Sequence, residues 1–464
     1  MPTEPIRFPK RAEATVLLGF AGLAGFVITL LLLYPGQYPF DSAYQWWQAR
    51  TGEYANITPV AMPALWSVLL AASASPASLL VLNLLLFWTG LVLAIERLPW
   101  SPAARIAALL ACGLVPTTLV QLAHLLTDSH LAAVLVLACG LFLQSGPHRR
   151  WPLALAAALL VHAGCIRHNA VLATLPLAVA LVAQLGVRHR TLRAGATLAI
   201  VLASLLAAAL LDRWLTVERR QVWPTIALWD LAAISVSTGD LLLPDYSHGP
   251  GLSVAELVET RAFDPTSVTN LFAPSRSGMR SGLESPYPPE LRADLRTRWF
   301  SAIAAHPRAW IAHRLRTFWL LVGPHHGSTQ GIAFYVNRHA YRDNPALPEP
   351  LAPRMQQAFY GFAARLVPGW AFSALPWLLL HAISFALAWR HRASAPGAIA
   401  TAIAASALLY TAGYLVLAPS AELRYLTWPL ASAPLALALG MASHRAPCAV
   451  RDRPAEAMRH PDAA

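Results

Sequence analysis

Four short polar phrases stand out in a chain that is otherwise dominated by Leu, Ala and Val. Asp41-Ser42-Ala43-Tyr44-Gln45 follows the first apolar run, and Thr127-Asp128-Ser129-His130 opens a later one. Arg167-His168-Asn169 makes a tight turn between two apolar runs, and Glu422-Leu423-Arg424-Tyr425 opens the last. Carboxylates can take up protons and guanidiniums can hold anions. A carboxylate within about 2.6–3.2 Å of an attacking hydroxyl can take its proton. A guanidinium offers paired N–H groups that match two phosphate oxygens. An ionised side chain deep in a membrane helix costs roughly 2.5–3.5 kcal/mol, so such residues belong near an interface or a watery cavity.

Each of these residues also has a plainer reading. Asp41 is well placed to cap a helix over 42–49, and Asp128 after Thr127 could do the same. Arg167 could reach the lipid headgroups, and Glu422 with Arg424 could form a salt bridge that fixes the last loop. Trp46 and Trp47 could be interfacial belt aromatics. His168 and the pair His325-His326 read as interface residues rather than metal ligands. Cys112, Cys139 and Cys165 lie in apolar runs and Cys448 in the tail. With no CxxC spacing, neither a disulfide framework nor a zinc site is indicated.

The elements that must hold these groups are membrane spans. Charged residues make up 12% of the 464, against about 25% in soluble domains, and mean hydropathy is +0.48. The expected spans are 14–34, 76–95, 105–122, 126–144, 151–166, 170–187, 194–215, 368–389, 396–418 and 425–442. The first is too long for a signal-peptide core and reads as uncleaved. The net charge of +12 comes largely from clusters between spans, such as Arg149-Arg150, Arg188-His189-Arg190 and Arg390-His391-Arg392. That pattern marks topology, not nucleic-acid binding. It sets both termini inside and leaves only Arg50, Arg167 and Arg424 in the short outer connections. Counting 60–72 as a span would turn the segments from Arg97 to Arg193 outward, so that stretch reads as interfacial.

The resulting organisation is an N-terminal membrane module over 1–215, with a first outer loop at 35–75. An outer and interfacial region follows over 216–367, then C-terminal spans over 368–442 and a cytoplasmic tail over 443–464. Residues 216–308 are too polar to span and suggest a small domain or lid of short helices. Residues 326–367 form a second outer stretch. Residues 309–323, with His313, Arg314 and Arg316 among aromatics, suggest a helix lying at the headgroups.

This arrangement resembles the membrane glycosyltransferases of the GT-C fold, among them bacterial oligosaccharyltransferases, protein mannosyltransferases and aminoarabinose transferases. Those enzymes carry an acid in the first outer loop and a second acidic site after two further spans, as Asp41 and Asp128 do here. Asp41-Ser42-x-x-Gln45, Arg167-x-Asn169-Ala170 and Glu422-Leu423-Arg424-Tyr425 resemble phrases of bacterial GT-C-like proteins. The resemblance covers residues 10–440 loosely. It implies an all-α polytopic membrane protein of about ten spans, with interfacial helices and a mostly helical outer domain, in a bacterial cytoplasmic membrane.

The implied reaction moves a sugar from a polyprenyl-phosphate donor to a lipid, glycan or protein acceptor. Asp41 and Asp128 would be catalytic, with Asp41 as base. Gln45, Arg167, His168, Asn169, Glu422, Arg424 and Tyr425 would bind substrate, with Arg167 first at the phosphate. The paired acids of metal-dependent oligosaccharyltransferases are missing at the second site, as is a Trp-Trp-Asp-type sequence, which argues against Asp128 as a metal ligand. A divalent metal stays possible but is not indicated, and no other cofactor is. A transporter or flippase is the main alternative. A lipid acyltransferase or an envelope scaffold ranks behind it.

Overall fold

The computed structural model describes residues 10–445 except 147, 188, 274–275, 283–285 and 335, and only the backbone of 10, 11 and 328. Arg7, Arg188, Arg451, Arg453, Arg459, Cys448 and all but the first residues of the 443–464 tail lie outside the described residues. The rest is helical. The first half contains α1 (Lys10–Leu33), α2 (Phe40–Thr51), α3 (Ala61–Leu70), α4 (Ser78–Glu96), α5 (Pro102–Gly113), α6 (Pro116–Leu122), α7 (Thr127–Leu143), α8 (Trp151–Ile166), α9 (Val171–Gln184) and α10 (Arg190–Leu215). The second half contains α11 (Trp223–Thr238), α12 (Val254–Glu259), α13 (Pro289–Ala305), α14 (Pro307–Val322), α15 (Pro353–Leu366), α16 (Leu375–Trp389), α17 (Ala395–Leu417) and α18 (Thr427–Ser443). Among the described residues only isolated β-bridges occur, with no strand.

Five segments are long and apolar enough to cross a membrane: Ala12–Leu33, Ser78–Glu96, Arg190–Leu215, Ala395–Leu417 and Leu423–Ser443. The pair α5–α6 makes a sixth if its 56° bend belongs to one span. Pro116 opens α6, and a proline there removes a backbone donor and forces the break. Each expected span therefore falls on a helix or a bent pair. Four of those helices, α7, α8, α9 and α16, have 14 to 17 residues. At 1.5 Å per residue that is about 21–26 Å, short of ~30 Å of hydrocarbon. α3 has ten residues, too few to span, as expected for 60–72.

The helices bury a common core. α4 lies along α7, with Gly90 and Gly140 at the crossing. α16, α17 and α18 pack on one another, and α18 and α17 close onto α7 and α9 respectively. The faces of α1 and α10 that carry Phe20, Leu198 and Leu206 are exposed, as lipid-facing surfaces should be. Small residues at the crossings and large apolar ones outside are the pattern of helix packing in lipid.

Residues 223–310 form a unit with its own core of Trp229, Leu257, Leu271 and Leu295. The expectation of short helices here needs correction, since α11 and α13 have 16 and 17 residues. The placing of His313 and Arg314 at the headgroups needs correction too, although α14 does keep an exposed apolar face of Ile311, Leu315 and Trp319. His313 and Arg314 on α14 are buried, and the Arg314 Nη2 lies 2.7 Å from Asp230 Oδ2 on α11. Trp299 and Trp310 also donate to that oxygen, at 3.0 and 3.2 Å. A buried carboxylate must gather donors in this way, and the α13–α14 side chains supply them. Arg314 further donates to the Ala418 carbonyl at 3.0 Å, which ties the unit to the end of α17.

Two expectations about helix starts are also corrected. α2 begins after Pro39 and α7 after Leu126, and neither start has a side-chain cap. Asp41 and Asp128 sit in the first turns instead, where they are ion-paired. Trp46 and Trp47 are not belt aromatics: both are buried, Trp46 against Trp66 of α3.

Candidate active site

The C-terminal ends of α8 and α17 and the N-terminal ends of α7, α9 and α18 meet around a cavity of about 420 Å³. α17 ends two residues before Pro419, and α8 ends where the polar turn Arg167-His168-Asn169 begins. α8 stops at Ile166, and Arg167 takes an extended backbone with φ −152°. α2 reaches the cavity from the α1 side and terminates at Gly52, whose φ of +76° suits the absence of a Cβ.

Eight of the nine site residues expected from sequence line this cavity: Asp41 and Gln45 from α2, Asp128 from α7, the turn Arg167-His168-Asn169, and Arg424-Tyr425 before α18. Glu422 is the ninth, and it reaches the site through Arg424.

The charges are arranged in two groups. Arg167 Nη1 lies 2.6 Å from Asp128 Oδ1, and the Asp128 side chain is almost fully buried. Arg167 also donates to Tyr414 Oη at 2.8 Å, Asn169 Oδ1 at 3.0 Å and Thr127 Oγ1 at 3.3 Å. Burial opposes the Arg167 charge, yet the adjacent Asp128 carboxylate holds its pKa well above the ordinary arginine value. In the second group Arg424 Nη1 lies 2.8 Å from Asp41 Oδ2, and its Nε donates to Glu422 Oε2 at 2.5 Å. The salt bridge expected between Glu422 and Arg424 is thus present, with Asp41 as an additional partner. Both guanidinium carbons stand 5.2 Å from the Tyr425 ring centroid, within cation–π range.

Two buried oxygens at the cavity have no hydrogen-bond partner among the described residues: Gln45 Oε1 and Asp128 Oδ2. Both are acceptors. A buried acceptor without a donor is costly, and a ligand hydroxyl would satisfy it.

Sequence reading missed Tyr414, which stacks on Tyr425 at 5.4 Å and accepts from Arg167. The available signal was Tyr410-x-x-x-Tyr414, two phenols one turn apart in a span of small and apolar residues. It also missed Thr58, which receives the Gln45 amide at 3.3 Å. His325 and His326 do not line this cavity; His325 is buried and bonded to the Phe372 carbonyl at 2.8 Å. Among the described residues there is no group of three His, Cys, Asp or Glu side chains arranged to hold a metal ion. No family model, curated protein or solved structure matches the chain.

Proposed function

We propose that the protein is a membrane glycosyltransferase that draws its sugar from a polyprenyl-phosphate donor and uses the Asp41–Arg424 cavity for transfer. The observation that carries this reading is the joint opening of Asp41, Asp128, Arg167 and Arg424 onto one 420 Å³ space at the helix ends. The unpartnered acceptors Gln45 Oε1 and Asp128 Oδ2 support a ligand rich in hydroxyls, as a sugar is.

The reading assumes a ten-span GT-C-like topology, with this end of the bundle facing outward. The short helices agree with it: backbone may leave the helix at membrane depth only where it lines a cavity. An apolar groove of about 470 Å³ between α9 and α10 starts at Val171, two residues past Asn169, and could hold the polyprenyl chain.

The ion pairs suggest an order of events. Two guanidiniums face three carboxylates here, so a donor phosphate gains a cation only by displacing a carboxylate. Asp41 is the most exposed of the three, at 42%, against 14% for Glu422 and 2% for Asp128. Arg424 therefore takes the phosphate and releases Asp41, while Arg167, which already holds four polar partners, fixes Asp128 and the Tyr414–Tyr425 wall. This ranks Arg424 ahead of Arg167 at the phosphate. The acceptor oxygen then attacks the anomeric carbon and the bond from that carbon to the phosphate oxygen breaks. The electron pair leaves with the phosphate and the hydroxyl proton goes to Asp41.

One observation favours a flippase as a second reading. Deeper in the bundle His130 Nδ1 lies 2.7 Å from Asn83 Oδ1, and its Nε2 lies 3.0 Å from His162 Nε2. Polar pairs at such depth also occur along transport paths. Binding of undecaprenyl phosphate to the purified protein tests the main proposal. It should weaken at least tenfold in Arg424→Ala; unchanged binding would remove the phosphate from this cavity.

A further inference from the structure

A second, larger cavity of about 690 Å³ shares Asp41, Ile57 and Thr58 with the first, so the Asp41 carboxylate stands at the junction of the two. Its character is different. Phe40, Tyr44 and Trp47 recur at i, i+4 and i+7 along one face of α2. Their rings form a ladder: Phe40 and Tyr44 are 6.3 Å apart and inclined by 6°, Tyr44 and Trp47 are 6.3 Å apart and inclined by 14°. Tyr341 stands edge-on to all three at 5.5, 5.7 and 6.0 Å. Next to it Arg342 has φ +45°, a region few non-glycine residues enter, and its guanidinium carbon lies 4.0 Å from the Trp47 centroid. Around the aromatic panel stand Glu53 and the ion pair of Arg220 with Glu218, at 2.5 Å.

Parallel aromatic faces with charged and hydroxyl groups at the rim match one class of ligand well. A pyranose presents a face of C–H bonds, which an electron-rich ring attracts, and a rim of hydroxyls, which carboxylates and guanidiniums bond. An acyl chain would leave Glu53, Glu218 and Arg220 against hydrocarbon, an unfavourable contact. Phe40 is 51% exposed, so part of the ladder is open to a ligand.

We propose that this cavity is the acceptor subsite and that the acceptor is a glycan, stacked on the Phe40 and Tyr44 end of the ladder, with Trp47 backing it under Arg342 and one hydroxyl reaching Asp41. The word acceptor rests on the transferase reading; the glycan site itself rests on the ladder. The purified full-length protein in nanodiscs is applied to an array of microbial surface oligosaccharides and a matched array of unglycosylated peptides. Undecaprenyl phosphate binding is measured on the same samples. Wild type should retain oligosaccharides. Tyr44→Leu, which keeps bulk but removes the ring, should lose about tenfold of that signal, and so should Phe40→Ser at an exposed position. Tyr44→Phe should retain it, and all three should bind undecaprenyl phosphate as wild type does. No oligosaccharide held above the Tyr44→Leu background, or retention confined to peptides, would overturn the glycan site. Oligosaccharide retention without undecaprenyl phosphate binding would leave the glycan site standing and remove the transferase reading.

Discussion

Arg424 Nη1 lies 2.8 Å from Asp41 Oδ2, so the segment after the first span is joined by charge to the segment before the last. The same guanidinium holds Glu422, and its neighbour Tyr425 stacks on Tyr414 from α17. The opening α2 loop, the end of α17 and the start of α18 are thereby held around one space.

The Arg167–Asp128 pair is the structural anchor of that space. Arg167→Leu leaves a nearly buried carboxylate without its cation, which typically costs about 3–5 kcal/mol. The double variant Arg167→Leu/Asp128→Leu should recover most of the lost thermal stability in detergent without restoring activity. A double variant no more stable than Arg167→Leu would mean that the two charges act independently.

The α4–α7 crossing depends on glycine. A Cβ on Gly90 would fall 2.6 Å from the Leu137 nitrogen, and one on Gly140 would strike the Gly90 carbonyl oxygen. Gly140→Val should destabilise the fold by about 3 kcal/mol or more, because backbone cannot give way as a side chain can. Gly19→Val, where nothing lies within 4 Å, should be close to neutral. Equal melting temperatures for the two variants would contradict this packing.

The unit around Trp229 should weaken in acid. Burial, helped by the Arg314 charge, lowers the His313 pKa from 6.5 to about 3 even though its Nε2 lies 3.5 Å from Asp230 Oδ1. The folded state therefore keeps His313 neutral where the unfolded chain protonates it. Unfolded chains bind more protons between about pH 6.5 and 3, so stability falls as pH falls through that window, by ~1.4 kcal/mol per unit. Melting of the Trp229, Trp299 and Trp310 cluster, followed by fluorescence, should drop between pH 7.5 and pH 5. His313→Gln should reduce that drop; an undiminished one would assign it to other groups.

Much of this arrangement was legible in the chain because membrane topology is. Apolar runs and the Arg clusters between them fix which helix ends share a face, and that alone brings Asp41, Asp128, Arg167 and Arg424 to the same end. Lateral packing was not legible. Periodicity in α17 does not say that Tyr414 faces Arg167, since the rest of the helix is apolar on all sides. Asp230 hid in the same way within Leu228-Trp229-Asp230-Leu231, and its partner Arg314 looked like a headgroup residue because charge next to aromatics is the usual mark of an interface. Trp46 and Trp47 misled for the same reason. Helix termini could not be read as caps either, because Asp41 and Asp128 found stronger partners across the cavity than the backbone N–H groups beside them.

The most direct test is single-turnover transfer from a polyprenyl-phosphate sugar by Asp41→Asn. The asparagine keeps the shape of the side chain but cannot accept the acceptor's proton. Transfer should fall by about 10²–10⁴-fold while insertion stays at the wild-type level and donor binding does not weaken, since the variant removes the carboxylate that competes with the phosphate for Arg424. Wild-type turnover in that variant would contradict the role given to Asp41 and, with it, the use of this cavity for sugar transfer.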